Sequence, residues 1–299
     1  MISVIILTLN EAADLPGCLA SVTWSDDVHV FDSFSADTTV AVAEGLGARV
    51  TRRRFDGYAS HRNAALALPD LRHPWVLFLD ADERVPQELA VECARAVRDA
   101  ASDVGAFRMR RRDFFMGRWL KHAQLSPYFV RLQRRGRTRY EREVNEVVKV
   151  DGRIVDLTQP FDHFPFSKGI GCWVERHNRY STMEARCVVQ SRAATSFSLK
   201  AALFAPDFNG RRVHQKALFY NLPFRPALKL IYMLFVRGAI LDGRPGCVYS
   251  LLQAMYEWLI VLKTEEIARV PAVVGKPSDL RAPIPAAPSL AQGEERMAK

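Results

Sequence analysis

The sequence contains no uncharged apolar run approaching about 18 residues, so it offers no simple membrane-spanning helix. Its five cysteines, Cys18, Cys93, Cys172, Cys187 and Cys247, are scattered, and no two form a CxxC pair. That spacing argues against a disulfide framework or a structural zinc site and favours a reducing compartment. No GxGxxG and no glycine-rich Walker loop occurs, which counts against dinucleotide dehydrogenases and P-loop enzymes. No repeat of solenoid period is present. The first residues, Met1 to Leu7, lack a basic region and a small-residue cleavage site, and acidic Glu11 and Asp14 follow at once. A first core strand explains them better than a signal peptide.

What remains is an ordinary folded composition. The chain has 299 residues, 48% hydrophobic and 25% charged. It can bury a substantial core in one large domain or two smaller ones. Lys and Arg number 42 against 33 Asp and Glu, a formal net charge of +9. Nucleic acid, anionic lipid and phosphorylated small molecules all fit that excess. No RNA-recognition module or ribonucleoprotein motif is visible, so nucleic acid is not the expected partner.

The first hundred residues alternate between strand-like and helix-like segments. Ser3 to Leu9 is nearly all apolar, as in a strand buried on both faces. Asp27 to Asp32, Arg49 to Thr51 and Trp75 to Leu79 read as three further strands. Thr38 to Leu46, with Ser35 or Asp37 as N-cap, Tyr58 to Leu68, and a segment opened by Pro86 and running to about Ala100 read as helices. This pattern predicts a largely parallel sheet covered by helices, with ligands at the carboxyl ends of its strands. From residue 104 shorter strands appear, at Val104 to Met109 and Tyr128 to Leu132. Asn145 to Val150 and Ile154-Val155 bracket Asp151-Gly152 as a hairpin. Residues 166–194 read as helix. Residues 216–268 are strongly apolar and aromatic, broken at Pro223, Pro226 and Pro245. The last thirty residues are rich in Pro and Ala and read as a mobile tail.

The chemistry centres on Asp80-Ala81-Asp82, at the end of a very apolar strand. Two carboxylates two residues apart can share one hard divalent cation with phosphate oxygens. The plain alternative is a strand-end turn whose Asp caps the next helix. Asp32, followed by Ser33, Ser35 and Asp37, ends a second strand, and Asn10 and Glu11 end the first. Three strands thus offer acids, amides and hydroxyls at one rim, as a nucleotide site requires. Phosphate charge would be neutralised by a metal at Asp82 rather than by a glycine loop.

Ser3 to Glu11, Val30 to Thr39, Phe55 to Leu66 and Trp75 to Val85 resemble the N-terminal half of family 2 glycosyltransferases. The likeness is closest to the bacterial subgroup containing lipopolysaccharide-core β-1,4-glucosyltransferases. Leu79 to Arg84, Phe55-Asp56-Gly57-Tyr58 with Arg62-Asn63, Arg131 to Gly136, and Asn178 to Ser181 carry it, and it covers roughly residues 2–265. The resemblance implies an α/β GT-A fold, a Rossmann-like mixed sheet flanked by helices, here with a C-terminal amphipathic helical extension. The expected division is a catalytic domain over 1–200, with a nucleotide-sugar half at 1–103 and an acceptor half at 104–200. An apolar helical region at 201–268 and the tail at 269–299 follow.

The resemblance also implies a UDP-sugar donor, inversion at the anomeric carbon and Mg²⁺ or Mn²⁺. Asp32 would contact the uracil, and Thr8, Asn10 and Glu11 would line the base pocket. Asp80 would contact ribose or metal-bound water, and Asp82 would ligate the metal. Ser35, Asp37 and Arg62 join the nucleotide-sugar group, and Arg131 is a candidate for the donor diphosphate or an acceptor phosphate. Glu146 is the candidate catalytic base, although relatives usually carry His before this Glu where this chain has Asn145. Its alternative is a solvated strand-end carboxylate. His163 is a candidate metal ligand or acceptor contact, its alternative a satisfied core histidine. His61 stands where relatives more often have Gln and is assigned no chemistry. In the loop after Asp32, Phe34 replaces a Gly of the usual motif, which reduces backbone freedom.

Three arginine clusters, at 52–54, 108–112 and 134–137, read singly as solvated surface and together as a face for anionic lipid. Leu218 to Tyr220, Ile231 to Val236 and Tyr256 to Leu262 are short apolar stretches with basic flanks. They suit a membrane interface, or packing against the catalytic domain or a second subunit. The expected enzyme works from the cytoplasm, peripheral on the inner face of the cell membrane, on a glycolipid or lipid-linked saccharide acceptor. The rival readings are a polyprenyl-phosphate glycosyltransferase of the same fold, a non-catalytic nucleotide-sugar- or membrane-binding protein, and an RNA-binding protein.

Overall fold

A computed structural model gives the fold, and it describes residues 2–141, 147–194, 220, 222 and 224–269. Seven strands form the main sheet. They are β1 (Ile2–Thr8), β2 (Val28–Asp32), β3 (Arg49–Arg52), β4 (Trp75–Asp80), β6 (Val104–Met109), β9 (Phe129–Arg134) and β12 (Arg153–Asp156), in the order β12-β6-β9-β4-β1-β2-β3. β1 pairs in parallel with β2 and β4, and β2 with β3. β9 runs antiparallel between β4 and β6. The mixed α/β sheet flanked by helices is the one expected from the sequence.

The continuous apolar run of β1 has a simple cause, which is that both of its faces are buried. Val4 and Ile6 join Leu77, Leu79 and the residues of α1 (Leu15–Ala20) and α4 (Gln87–Arg98) on one side. Ile5 joins Phe31, Val76, Phe78 and α3 (Tyr58–Leu66) on the other. α2 (Thr39–Gly45) connects β2 to β3. The chain goes from β1 outward to β2 and β3, then returns to place β4 on the opposite side of β1. In open α/β sheets such a reversal marks where a ligand crevice lies, here beyond the tips of β1 and β4. The register puts Thr8 beside Asp32 and Leu7 beside Asp80, so the polar strand ends meet at one rim.

A second sheet was not anticipated. β5 (Glu83–Arg84), β13 (Phe161–His163), β7 (Arg111–Phe115) and β8 (Arg118–Trp119) pair in the order β5-β13-β7-β8. Nor is Asp151-Gly152 a hairpin turn. β11 (Val147–Val150) pairs with β10 (Thr138–Glu141), whereas β12 leaves to pair in parallel with β6. The local turn signal was read correctly as a turn, but register with distant strands decides which strands it joins.

After β13 the described elements are helical. The helix expected over 166–194 begins at Gly169 as α5 (Gly169–Ala194). α6 (Arg225–Ile231), a π-helical turn (Tyr232–Val236), a 3₁₀ turn (Ala239–Asp242) and α7 (Arg244–Arg269) follow, and α7 packs along α5. Asp242 fastens this region to the second sheet. Its carboxylate accepts the amides of His122 and Ala123 at 2.9 and 2.7 Å and the His122 ring at 2.7 Å. The stretch Leu218 to Tyr220 lies, apart from Tyr220, outside the described residues.

Gly246 lets the start of α7 touch the 3₁₀ turn, because a Cβ there would collide with the Ala239 carbonyl oxygen. Gly171 in α5 has nothing within 4 Å of the same position. Gly246→Ala is expected to destabilise the fold by about 1–3 kcal/mol through overpacking. Gly171→Ala is expected to be neutral or stabilising by up to about 1 kcal/mol. Urea unfolding of both variants checks the contrast.

Candidate active site

The loops after β1 and β2 are stitched into one rim. Asn10 stands in the left-handed region, at φ 56°. Its amide donates to Ser35 Oγ at 2.8 Å, and its side-chain oxygen accepts the Ala36 amide at 2.8 Å. The Glu11 amide donates to Thr39 Oγ1 at 2.8 Å, and Asp37 accepts the amides of Ala12 and Thr39. Asp32 lies beneath this rim and is fully buried. Thr8 and Ser35 donate their hydroxyls to it at 2.9 and 2.5 Å, and the Ser35 amide donates at 2.8 Å. No part of Asp32 is open to solvent, and it supports the rim from below. Phe34, where the usual motif has Gly, stands at φ 64°. The guanidinium groups of Arg52 and Arg54 lie 4.7 and 5.2 Å from its ring and offset part of the backbone strain.

A cover crosses this rim from the segment between β13 and α5. Lys168, just before α5, donates to the Asn10 carbonyl at 2.8 Å and to Glu11 at 2.6 Å. Ser167 donates to Asp14 at 2.7 Å, and the Phe164 amide donates to the Asp82 carbonyl at 2.9 Å. Burial pushes the Glu11 carboxyl up to about 7 against the pull of Lys168.

The corner between β4 and β5 carries the charge. Arg131 on β9 donates to Asp80 Oδ2 at 3.1 Å and to Glu83 Oε1 at 2.5 Å. Arg62 on α3 donates to the other Asp80 oxygen at 3.4 Å. Glu83 is fully buried, and its second oxygen accepts the Asp80 amide at 2.9 Å. Burial opposes ionisation of Asp80, but Arg131 and Arg62 hold its carboxyl well below the usual range. Burial pushes Glu83 up to about 7 even with Arg131 beside it. Asp80 keeps 40% of its side chain exposed, so a paired carboxylate still faces the crevice. Neither aspartate caps α4, whose N-cap is Pro86.

The second sheet brings the remaining acids and the histidine together. His163 is paired in register with Glu83 on one side and Asp113 on the other. Its Nδ1 donates to Asp113 at 2.6 Å, and its Nε2 lies 3.4 Å from Asp82 Oδ2. Burial would lower its pKa, but the contacts with Asp113 and Asp82 lift it to about 9. Asp113 fixes the ring so that Nε2, once deprotonated, points its lone pair beside Asp82. Asp82 and His163 therefore form a mixed oxygen and nitrogen donor pair with both side chains partly open, 23% and 14% exposed. Among the described residues no group of three or more His, Cys, Asp or Glu could hold a metal ion. Two protein donors suit a cation that takes its other ligands from phosphate and water.

The sequence-derived candidates thus fall into two neighbouring groups. Thr8, Asn10, Glu11, Asp32, Ser35 and Asp37 build the rim. Arg62, Asp80, Asp82, Arg131 and His163 build the charged corner. Glu146 lies outside the described residues. Glu83, Asp113 and Lys168 carry structural weight that sequence reasoning did not assign. Glu83 lies inside a quoted motif, whereas Asp113 and Lys168 carried no local signal. His61 is buried, accompanied by Phe31 and Phe55 and within 3.1 Å of Ser33 Oγ. Burial lowers its pKa to about 4, which leaves it neutral near pH 7.

Comparison with known proteins gives the family. Residues 3–151 match the family model Glycosyl transferase family 2, and this part of the chain is a glycosyltransferase domain of that family. The chain is 26% identical over 272 residues to the lipopolysaccharide core biosynthesis glycosyltransferase LpsC of Rhizobium meliloti (strain 1021), covering 88% of this chain and 91% of that one. An uncharacterized glycosyltransferase of Rickettsia bellii (strain RML369-C) is 40% identical over 92 residues, 30% of this chain and only 31% of its own. Among solved structures, glucosyl-3-phosphoglycerate synthase from Mycobacterium tuberculosis, in complex with Mn²⁺, UDP and glucosyl-3-phosphoglycerate, is 24% identical over 38% of this chain and 44% of its own, with a TM-score of 0.33.

Removing Arg131 leaves two carboxylates without their shared cation. Arg131→Met is expected to cost about 3–5 kcal/mol near neutral pH. Without Arg131 the Glu83 pKa rises further, so stability it contributes at low pH is lost as pH climbs. The Asp80 pKa returns toward its usual value, so stability it contributed above its unfolded pKa shrinks. Both signs make the variant's deficit larger at pH 8 than at pH 4.5. Urea unfolding at the two pH values checks this, and Glu83→Gln in the same chain is expected to recover part of the loss.

Proposed function

We propose that this family 2 glycosyltransferase is an inverting, divalent-metal-dependent enzyme that moves a hexose from a UDP-sugar to a lipid-linked or lipopolysaccharide-core-type acceptor. The observation that carries the reading is the meeting of Asp82, in the turn between β4 and β5, with His163 of the second sheet, beside an ion-paired Asp80 at the rim where parallel strands end. The relative LpsC, named for lipopolysaccharide core biosynthesis and aligned over most of both chains, supports the acceptor class.

Asp82 and His163 would hold Mg²⁺ or Mn²⁺, and the cation would stabilise the charge that develops on the departing nucleoside diphosphate. Asp80, kept ionised by Arg62 and Arg131, faces the ribose. Asn10, Glu11 and the Ser35 loop form the wall against which the base rests, with Asp32 holding that wall in shape. Asp37 keeps the adjoining turn. Lys168 closes the rim and limits water around the nucleotide. Glu146 takes the proton from the acceptor hydroxyl as it attacks the anomeric carbon on the face opposite the leaving group. The acceptor then belongs to the cytoplasmic side of the membrane, and the enzyme works there as a peripheral protein on an anionic surface.

Calorimetric titration with UDP-sugars, with and without Mn²⁺, tests this reading. Mn²⁺ is expected to tighten donor binding in the wild type and to have no effect in Asp82→Ala. Equal binding by the variant would overturn the metal role. Cation uptake expels the proton that His163 carries below about pH 9. Mn²⁺ affinity is therefore expected to rise from pH 6.5 to pH 9, and Asp113→Asn to weaken it about 10–100-fold. Glu146→Gln is expected to abolish turnover on a hydroxyl acceptor while leaving donor affinity unchanged. Full activity in that variant would instead identify an already ionised acceptor, such as a polyprenyl phosphate.

A further inference from the structure

The structure places a compact apolar patch where two distant parts of the chain meet. The tip of the β7–β8 hairpin contributes Met116 and Trp119, and the π and 3₁₀ turns contribute Phe235, Val236, Ile240 and Leu241. Phe235, Val236 and Leu241 are 68%, 72% and 67% exposed, which is unusual for side chains of this size. Three contacts join the two parts. Arg118 donates to the Leu241 carbonyl at 3.3 Å, Arg237 donates to the His122 carbonyl at 3.1 Å, and Asp242 holds the His122 and Ala123 amides. The patch is thus carried on a braced support and not on a free loop.

Two exposed cations flank it. Arg118 and Lys121 stand at the hairpin, with Lys121 5.8 Å from the Trp119 ring, while half-buried Arg237 lies between Val236 and the 3₁₀ turn. Large apolar side chains at the centre, an indole at the edge and cations around them match the chemistry of an anionic bilayer surface. No described helix is long and apolar enough to cross a membrane, so contact would be with the surface. A second copy of the chain fits less well, because a two-fold contact would press Arg118, Lys121 and Arg237 against their own counterparts.

We infer that Met116, Trp119, Phe235, Val236, Ile240 and Leu241 form a wedge that docks this enzyme on an anionic lipid bilayer. The inference deepens the proposed function by naming how the lipid-linked acceptor is met. Asp113, which positions His163, lies on β7 only three residues before Met116, the turn residue that directly follows that strand, so the two are at most about 10 Å apart along the chain. Docking by this wedge therefore sets the charged corner close to the lipid headgroups, where a membrane-held saccharide is presented. Hydrophobic insertion holds the protein, and Arg118 and Lys121 add attraction that salt screens.

Co-sedimentation of the full chain with phosphatidylcholine vesicles, and with vesicles containing one quarter phosphatidylglycerol, tests the wedge. The wild type is expected to bind the anionic vesicles at least tenfold more tightly than the neutral ones. Phe235→Ser, Val236→Ser and Leu241→Ser combined are expected to lower that binding at least tenfold, with an unchanged melting temperature and unchanged affinity for UDP. Arg118→Glu with Lys121→Glu, which leaves the apolar centre intact, is expected to remove the preference for anionic lipid. Wild-type-like vesicle binding by the serine variant would overturn the inference. So would absence of binding by the wild type, or a dimer in solution that the serine variant dissociates without any vesicle binding. Vesicle binding needs neither donor nor acceptor, so its failure leaves the transferase reading intact, and loss of UDP binding in the wild type would sink that reading without touching this one.

Discussion

Arg131 is the charge on which the candidate site depends. It comes from an antiparallel strand of the second half of the chain and reaches two acids of the first, Asp80 and Glu83. A buried guanidinium needs carboxylate partners, and buried carboxylates need it in turn. Together with Arg62 it keeps Asp80 ionised at a position otherwise unfavourable to charge. Glu83 then turns a side-chain contact into a backbone one, because it also accepts the Asp80 amide. The strand end that presents Asp80 and Asp82 is thereby locked in place before any ligand arrives, which is the condition for electrostatic preorganisation.

The small second sheet supplies what the main sheet lacks. Parallel strands deliver their polar ends to one rim, but every side chain there comes from one direction. β13 and β7 approach across the crevice and align Glu83, His163 and Asp113 in one row. Asp82, in the turn that leads from β4 of the first sheet into β5 of the second, then faces His163 of the second sheet.

The C-terminal helices are tied to this second sheet rather than to the first. Asp242, Arg237 and Tyr249 all bond to the stretch His122 to Gln124, which begins three residues after β8, the partner of the strand that carries Asp113. The exposed apolar residues of the π and 3₁₀ turns and the strand that positions His163 are therefore parts of one braced unit. α7, by contrast, packs along α5, with Tyr249, Glu257 and Ile260 among its buried residues, while Trp258 and Leu262 of the apolar stretch Tyr256 to Leu262 stay exposed.

Much of the fold was legible in the residues because its signals are local. A strand buried on both faces must be apolar throughout, as Ser3 to Leu9 and Trp75 to Leu79 are, and polar residues at its end mark the ligand edge. The family motifs at Leu79 to Arg84 and Arg131 to Gly136 added the chemistry by resemblance. What the residues alone could not show was pairing at a distance. Asp113 and Lys168 sit in segments without periodic or motif signal, and only register between β7 and β13, and the return of the chain over the first rim, bring them to His163 and Glu11. The turn at Asp151-Gly152 was visible, but not that its two strands part to different neighbours. The acid at Asp32 was visible too, and only the closing of the Ser35 loop over it made it a buried support. Sequence determined the sheet, its rim and the charges available there, because backbone hydrogen bonding and apolar burial act on neighbouring residues. Tertiary structure decided which charges meet, because desolvation and Coulomb energy depend on distances that no spacing along the chain encodes.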